Sequence, residues 1–255
     1  MSSSMSLQPN GQNEETSDQK TSETTEAKTS SPGEWTAQTA ERGYYRRDGC
    51  FIKRSLRPSE YVTTHRGTIH TPPMGKERLQ NEAESLRFIQ RVSNIPVPTV
   101  YGAFEVDGSY FLITEYIEGV GMSQLPEHQK KTVHVELDQH LASLRKITSN
   151  TIGGPSGIVI PPYRVMHRAD KDNWSLRPSE GRDYVFCHND LAQQNIIVDP
   201  VTLKINAIID WEYAGFFPQY FEAPFYKRRG PSVALDGEED DVPKLLEFLR
   251  ANSME

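Results

Sequence analysis

The segment His188-Asn189-Asp190-Leu191-Ala192-Gln193-Gln194-Asn195 puts an imidazole, a carboxylate and an amide within one short polar stretch. Two apolar runs follow, Ile196-Ile197-Val198 and Ile205-Asn206-Ala207-Ile208-Ile209, and the second ends in Asp210-Trp211-Glu212. Those residue types suit the transfer of a phosphoryl group to a hydroxyl. Such a reaction needs a carboxylate to take or orient the hydroxyl proton, and hard oxygen ligands to hold Mg²⁺ against the phosphates of a nucleotide. The order loop, strand, turn, strand would return Asp210 beside the loop that carries Asp190 and Asn195. A bland reading is also open, because a polar turn before a strand is ordinary.

The elements that would position these groups can be read from pattern. Residues 44–47 and 50–53 read as two strands around Asp48-Gly49, and residues 100–106 and 110–117 as two more around Asp107-Gly108; Asp-Gly between β-prone runs signals a tight hairpin. Between the hairpins, residues 76–92 carry Leu79, Ala83, Leu86 and Ile89 at the spacing of one helical face. The spacing of Leu137, Leu141, Leu144 and Ile147 predicts a long helix over residues 127–148. Residues 149–182, rich in Gly, Pro, Ser and charge, read as loops, and a short helix is expected over residues 243–250 with Pro243 in its first turn. The fold class is therefore α+β, a small antiparallel sheet with one helix followed by a mainly helical C-terminal part.

Composition bounds the function. Residues 1–33 are Ser, Thr, Gln, Glu and Asn with almost no apolar residue, and are expected to form a disordered tail. The formal net charge of −7 argues against nucleic acid as a partner. No window is long and apolar enough for a membrane span, and the tail lacks a signal-peptide pattern. Cys50 and Cys187 form no disulfide framework and no metal motif, so a reducing, cytoplasmic setting is the default expectation. The basic cluster Arg46, Arg47, Lys53, Arg54 and Arg57 and the acidic run at residues 236–241 read as solvated faces or loops. Gly153-Gly154-Pro155-Ser156-Gly157 has the glycine content of a phosphate loop but lacks the flanking strand and the Gly-Lys-Ser/Thr ending, so a turn is expected. In His167-Arg168-Ala169-Asp170 the acid stands one place too late for a kinase catalytic loop.

The 188–195 run, followed by residues 208–212, closely resembles the aminoglycoside phosphotransferase and choline kinase-like family, which has a bilobal protein-kinase-like fold. The resemblance implies Asp190 as catalytic base, Asn195 and Asp210 as Mg²⁺ ligands, and His188 as a structural support. It also implies a strand lysine paired with a helix glutamate, and these roles fall on Lys53 and Glu82, with Glu84 a near alternative. Backbone groups of Glu115 and Ile117, in the step Thr114-Glu115-Tyr116-Ile117, would meet the adenine ring. Residues 34–116 would then be a nucleotide-binding lobe and residues 117–255 a catalytic lobe shortened at its end. The implied activity is transfer of the γ-phosphate of ATP to a small-molecule hydroxyl.

Two departures stand against that expectation. Gly33 to Gly43, "GEWTAQTAERG", is short and lacks the glycine-rich repeat that would cover the phosphates, and the chain beyond Asp210 is brief. They keep a second reading open, a kinase-fold binding or regulatory protein with little or no turnover. A kinase acting on protein substrates ranks last, because no Asp-Phe-Gly to Ala-Pro-Glu segment begins at Asp210.

Overall fold

A computed structural model describes residues 34–254, so the expected tail at residues 1–33 lies outside the described residues. The chain begins with β1 (Trp35–Gln38), β2 (Arg42–Arg47) and β3 (Cys50–Ser55), followed by α1 (Gly75–Val92), β4 (Val100–Val106) and β5 (Ser109–Glu115). These strands form one antiparallel sheet in the order β1-β2-β3-β5-β4. Both expected hairpins form. Asp48 and Gly49 have φ of 48° and 73°, and Asp107 and Gly108 have 48° and 75°, the left-handed pair that a two-residue hairpin turn demands. Sequence reading gave four strands here and missed β1, whose short WTAQ run pairs with β2 at the sheet edge, Trp35 opposite Arg46 and Gln38 opposite Gly43.

Helix α1 lies across this sheet because its apolar stripe matches the helical period: Leu79, Ala83, Leu86 and Ile89 are all buried. Strand alternation breaks up the basic cluster. Lys53 turns under the sheet, whereas Arg54, on the other face, bonds Glu60 at 2.5 Å and the Tyr45 hydroxyl at 2.8 Å. Arg46 stacks on the Tyr116 ring at 3.6 Å.

The C-terminal part holds β6 (Val120–Gly121), α2 (Glu127–Leu144), β7 (Thr148–Ser149), α3 (Tyr163–Met166), β8 (Tyr184–Cys187), β9 (Ile196–Val198), β10 (Ile205–Ile208), β11 (Gly215–Phe217) and α4 (Val242–Ala251). Helix α2 stops at Leu144, short of the expected residue 148. The reason is that β8 claims the backbone beyond it: Phe186 donates to the Ile147 carbonyl at 3.0 Å and Thr148 pairs with Val185. Two small sheets, β10-β9-β6 and β11-β8-β7, flank α2. One core gathers Leu137, Leu141 and Leu144 of α2 with Phe186, Ile196, Ile208 and Trp211. A second packs Val165, Phe217 and Phe221 against Leu245 and Leu249 of α4. Strands β8 and β9 flank the 188–195 loop from different sheets, and Phe186 of β8 and Ile196 of β9 anchor its two ends in the same core. The acidic run is not a free face: Asp240 pairs with Arg168 at 2.5 Å, Asp241 with Arg164 at 2.7 Å and Glu238 with Arg228 at 2.5 Å.

Candidate active site

The β3–β5 pairing places Lys53 opposite Leu112, on the face of the sheet that looks toward α1 and the 188–212 region. The lysine ammonium lies 2.6 Å from Glu82 Oε1 and also contacts the Asp210 carboxylate. Glu84 is exposed and bonds Arg87 at 2.7 Å, so the helix glutamate that meets the lysine is Glu82. Burial alone would strip charge from Lys53, but Asp210 and Glu82 outweigh it and keep the ammonium protonated. In return, Lys53 and Arg42 hold Asp210 below the usual carboxylate range against the effect of its burial. On Glu82 burial outweighs the pull of Lys53 and raises the carboxyl.

These three side chains close the back of a cavity of about 300 Å³. Phe51, Ile197 and Ile209 line it together with Glu115, Tyr116 and Ile117. A cavity lined by apolar side chains together with a lysine and two acids combines a surface for an apolar ring with charges for anionic groups.

The 188–195 loop is built by its buried members. His188 Nδ1 accepts the Asp190 N–H at 3.2 Å, and its Nε2–H donates to the Ile209 carbonyl at 2.9 Å. Its ring lies 4.6 Å from the Trp211 ring, itself fixed by Nε1–H donation to the Ile208 carbonyl at 2.8 Å. Burial pushes the imidazole down to about 4, so the ring is neutral and carries its proton on Nε2. The unfolded chain binds that proton near pH 6.5, so the stability this group provides is intact above pH 6.5 and is lost as pH falls toward 4, on the order of 3 kcal/mol. Urea unfolding between pH 8 and 4 should therefore fall less steeply in His188→Asn than in wild type; equal slopes would rule out His188 as the source.

Asn195 donates from Nδ2 to the Asp190 carbonyl at 2.8 Å and to its carboxylate at 3.3 Å. The amide oxygen is then the atom of Asn195 that lacks a protein donor among the described residues. The Ile209 N–H donates to the Asn195 carbonyl at 2.9 Å, which ties Asp210 directly to this loop. Burial raises the Asp190 carboxyl to about 7, with the Ser232 hydroxyl and Asn195 drawing it down and Asp210 and Glu212 pushing it up. Asn189 and Asp210 both have left-handed backbones, φ 67° and 64°, a region that Asn and Asp enter more readily than most side chains. Such strain concentrates at functional sites.

Several supporting residues gave no signal in the sequence. The buried Glu222 carboxylate accepts the backbone N–H groups of His188 and Asn189, the latter at 3.4 Å. Glu222 stands in an unremarkable Phe-Glu-Ala, 34 residues from His188 in sequence, and no spacing rule reaches it. Glu212 is paired rather than solvated: it bonds Arg42 of β2 and lies 3.8 Å from Arg78 of α1. Asn81 of α1 donates to the Glu212 and Ala214 carbonyls at 3.0 and 2.8 Å and accepts the Ser156 hydroxyl at 2.7 Å. The Gly153–Gly157 turn thus braces the segment after Asp210. A Cβ on Gly215 would stand 2.7 Å from the Gly153 carbonyl carbon, and one on Gly154 would meet the Asn81 side chain. Cys187 donates to the Val185 and Phe217 carbonyls and burial raises its thiol well above the usual range, so it is no nucleophile for His188.

Comparison with known proteins gives several similarities. The family profile for choline/ethanolamine kinase matches residues 110–224. An aminoglycoside 3'-phosphotransferase of Streptomyces fradiae is 24% identical over 155 residues, covering 52% of this chain and 57% of that protein. Among solved structures, aminoglycoside phosphotransferase APH(3'')-Id from Streptomyces rimosus aligns over 77% of this chain and 73% of its own, with TM-score 0.48 and 16% identity. A type VIII aminoglycoside-3'-phosphotransferase aligns over 76% and 73%, with TM-score 0.44 and 19% identity. The match to the curated relative thus spans little more than half of that protein's length.

Proposed function

We propose that this chain, whose residues 110–224 match the choline/ethanolamine kinase profile, transfers the γ-phosphoryl group of ATP to a hydroxyl of a small-molecule acceptor. The observation that carries this reading is the meeting of Lys53, Glu82 and Asp210 at the end of the cavity, with Asp190 and Asn195 tied to Asp210 through the Ile209 N–H. Adenine would lie between Phe51 and Ile197, against the backbone of Glu115 and Ile117. Lys53 would hold the α- and β-phosphates as a point charge, oriented by Glu82.

Asp210 and Asn195 offer two oxygen donors, which is what Mg²⁺ asks of a protein when phosphates and water complete its shell. Among the described residues no group of three or more His, Cys, Asp or Glu could hold a metal ion. When bound at Asp210 and Asn195, Mg²⁺ neutralises charge on the phosphates. Asp190 would take the acceptor proton, with its backbone fixed by His188 and its carboxylate by Asn195. Among the described residues no helix is long and apolar enough to cross a membrane.

The turn between β1 and β2 supports the rival reading of a binding protein with little turnover. It is Thr39-Ala40-Glu41, without glycine, and Glu41 is held by Arg78 at 2.6 Å and His70 at 2.7 Å rather than free to close on phosphates. Thermal unfolding with and without Mg²⁺-ATP tests the nucleotide site directly. At about 100 times the dissociation constant the midpoint should rise by roughly 5–10 °C in wild type. The rise should vanish in Asp210→Asn. A wild-type midpoint that ignores saturating Mg²⁺-ATP would overturn the proposal, and a rise without any turnover would favour the rival.

A further inference from the structure

The segment from Arg228 to Asp241 lies against the 188–195 loop and is held there by two arginines. Arg228 folds back on its own turn: it donates to the Pro231 carbonyl at 3.0 Å and the Val233 carbonyl at 2.6 Å, and pairs with Glu238 at 2.5 Å. It thereby grips the chain on both sides of Ser232. At the other end Arg164 pairs with Asp241 at 2.7 Å while donating to the Asn189 carbonyl at 3.3 Å and the Phe221 carbonyl at 2.9 Å. One guanidinium thus joins the end of the strap to the residue before Asp190.

The residue presented by this clamp is Ser232, 3% exposed. Its Oγ is buried and makes no hydrogen bond of normal geometry among the described residues. The ionisable group that it faces is the Asp190 carboxylate. Burying a hydroxyl without a firm partner is costly, and such a group calls for an explanation.

We propose that Ser232 is an internal phosphoryl acceptor, held by the Arg228 clamp where Asp190 meets an acceptor hydroxyl. The step rests on the kinase reading above. With a nucleoside triphosphate in the cavity, Ser232 Oγ attacks the γ-phosphorus and its proton passes to Asp190. The bond from that phosphorus to the β–γ bridging oxygen breaks, a phosphoserine forms, and the nucleoside diphosphate leaves. The burial of Ser232 makes the transfer intramolecular, because a second copy of the chain could not reach the hydroxyl. The phosphoserine sets a new anion beside Asp190, and repulsion between the two would drive the strap outward.

Intact-mass measurement and peptide mapping of the full chain after incubation with Mg²⁺-ATP test this. One phosphoryl group per chain should appear on Ser232, at a first-order rate that stays constant over a tenfold range of protein concentration. Ser232→Ala should abolish it, Ser232→Thr should retain it, and Asp190→Asn should slow it by roughly 100-fold or more. Thermal unfolding of the same samples separates the two ideas. A protein that responds to Mg²⁺-ATP yet stays unmodified at Ser232 overturns the internal acceptor and leaves the nucleotide site standing. Phosphate on another residue, or a rate that scales with protein concentration, also overturns it. Absence of any response to Mg²⁺-ATP overturns both.

Discussion

Replacing Asp190 with alanine should lower phosphoryl transfer by on the order of 10² to 10⁴-fold while leaving the Mg²⁺-ATP shift in unfolding midpoint intact. The two readouts separate because Asp190 is not among the residues that line the cavity proposed for the nucleotide, whereas Lys53 and Asp210 are. Its carboxyl is raised to about 7 by burial, close to the range in which a base both holds and releases a proton efficiently. Its placement comes from the backbone, through His188 Nδ1, and from Asn195, so the loop should survive loss of the side chain. ADP release across a panel of hydroxyl-bearing acceptors is the measurement. A wild-type rate in the variant would remove Asp190 from the mechanism.

Lys53→Met should be the most destabilising of the site variants. Its ammonium neutralises two carboxylates, and the side chain of Glu82 is only 3% exposed. Removing one partner of a buried ion pair costs about 3–5 kcal/mol, since the other charge is left in a medium that cannot solvate it. For a chain of this size that lowers the unfolding midpoint by roughly 10 °C. Lys53→Met combined with Glu82→Leu should recover most of the midpoint, because the stranded acid is gone, but should not recover the response to Mg²⁺-ATP. A single variant that still responds to nucleotide would show that Lys53 is structural. A double variant that recovers nothing would show that the loss lies elsewhere than in the unpaired carboxylate.

What could be read from the sequence was what is written locally. The two Asp-Gly turns, the stripe of α1 and the run from His188 to Asn195 each lie within a few residues, where backbone preference and side-chain period act directly. The contacts that sequence reading missed join residues far apart: Glu222 to the backbone of His188, Arg42 to Glu212, Arg164 to Asp241. Nothing in the neighbourhood of a lone arginine or glutamate says which distant backbone it will meet. The glycine-rich Gly153–Gly157 turn shows the same limit from the other side. Its lack of phosphate-loop context was legible, but its task of bracing Asn81 under the segment after Asp210 became visible only once α1 and β11 were in place.

The left-handed backbone at Asp210, φ 64°, bears on how this site could decay over time. On the metal role proposed for Asp210, a descendant chain without that role would be under no pressure to keep a carboxylate there, yet the turn into Trp211 would still require the same backbone. Asparagine and glycine satisfy it with little strain, whereas valine or isoleucine would not. Drift at position 210 is therefore channelled: an idle copy of this protein should carry Asn or Gly there, and a β-branched residue would signal that the whole turn had been rebuilt.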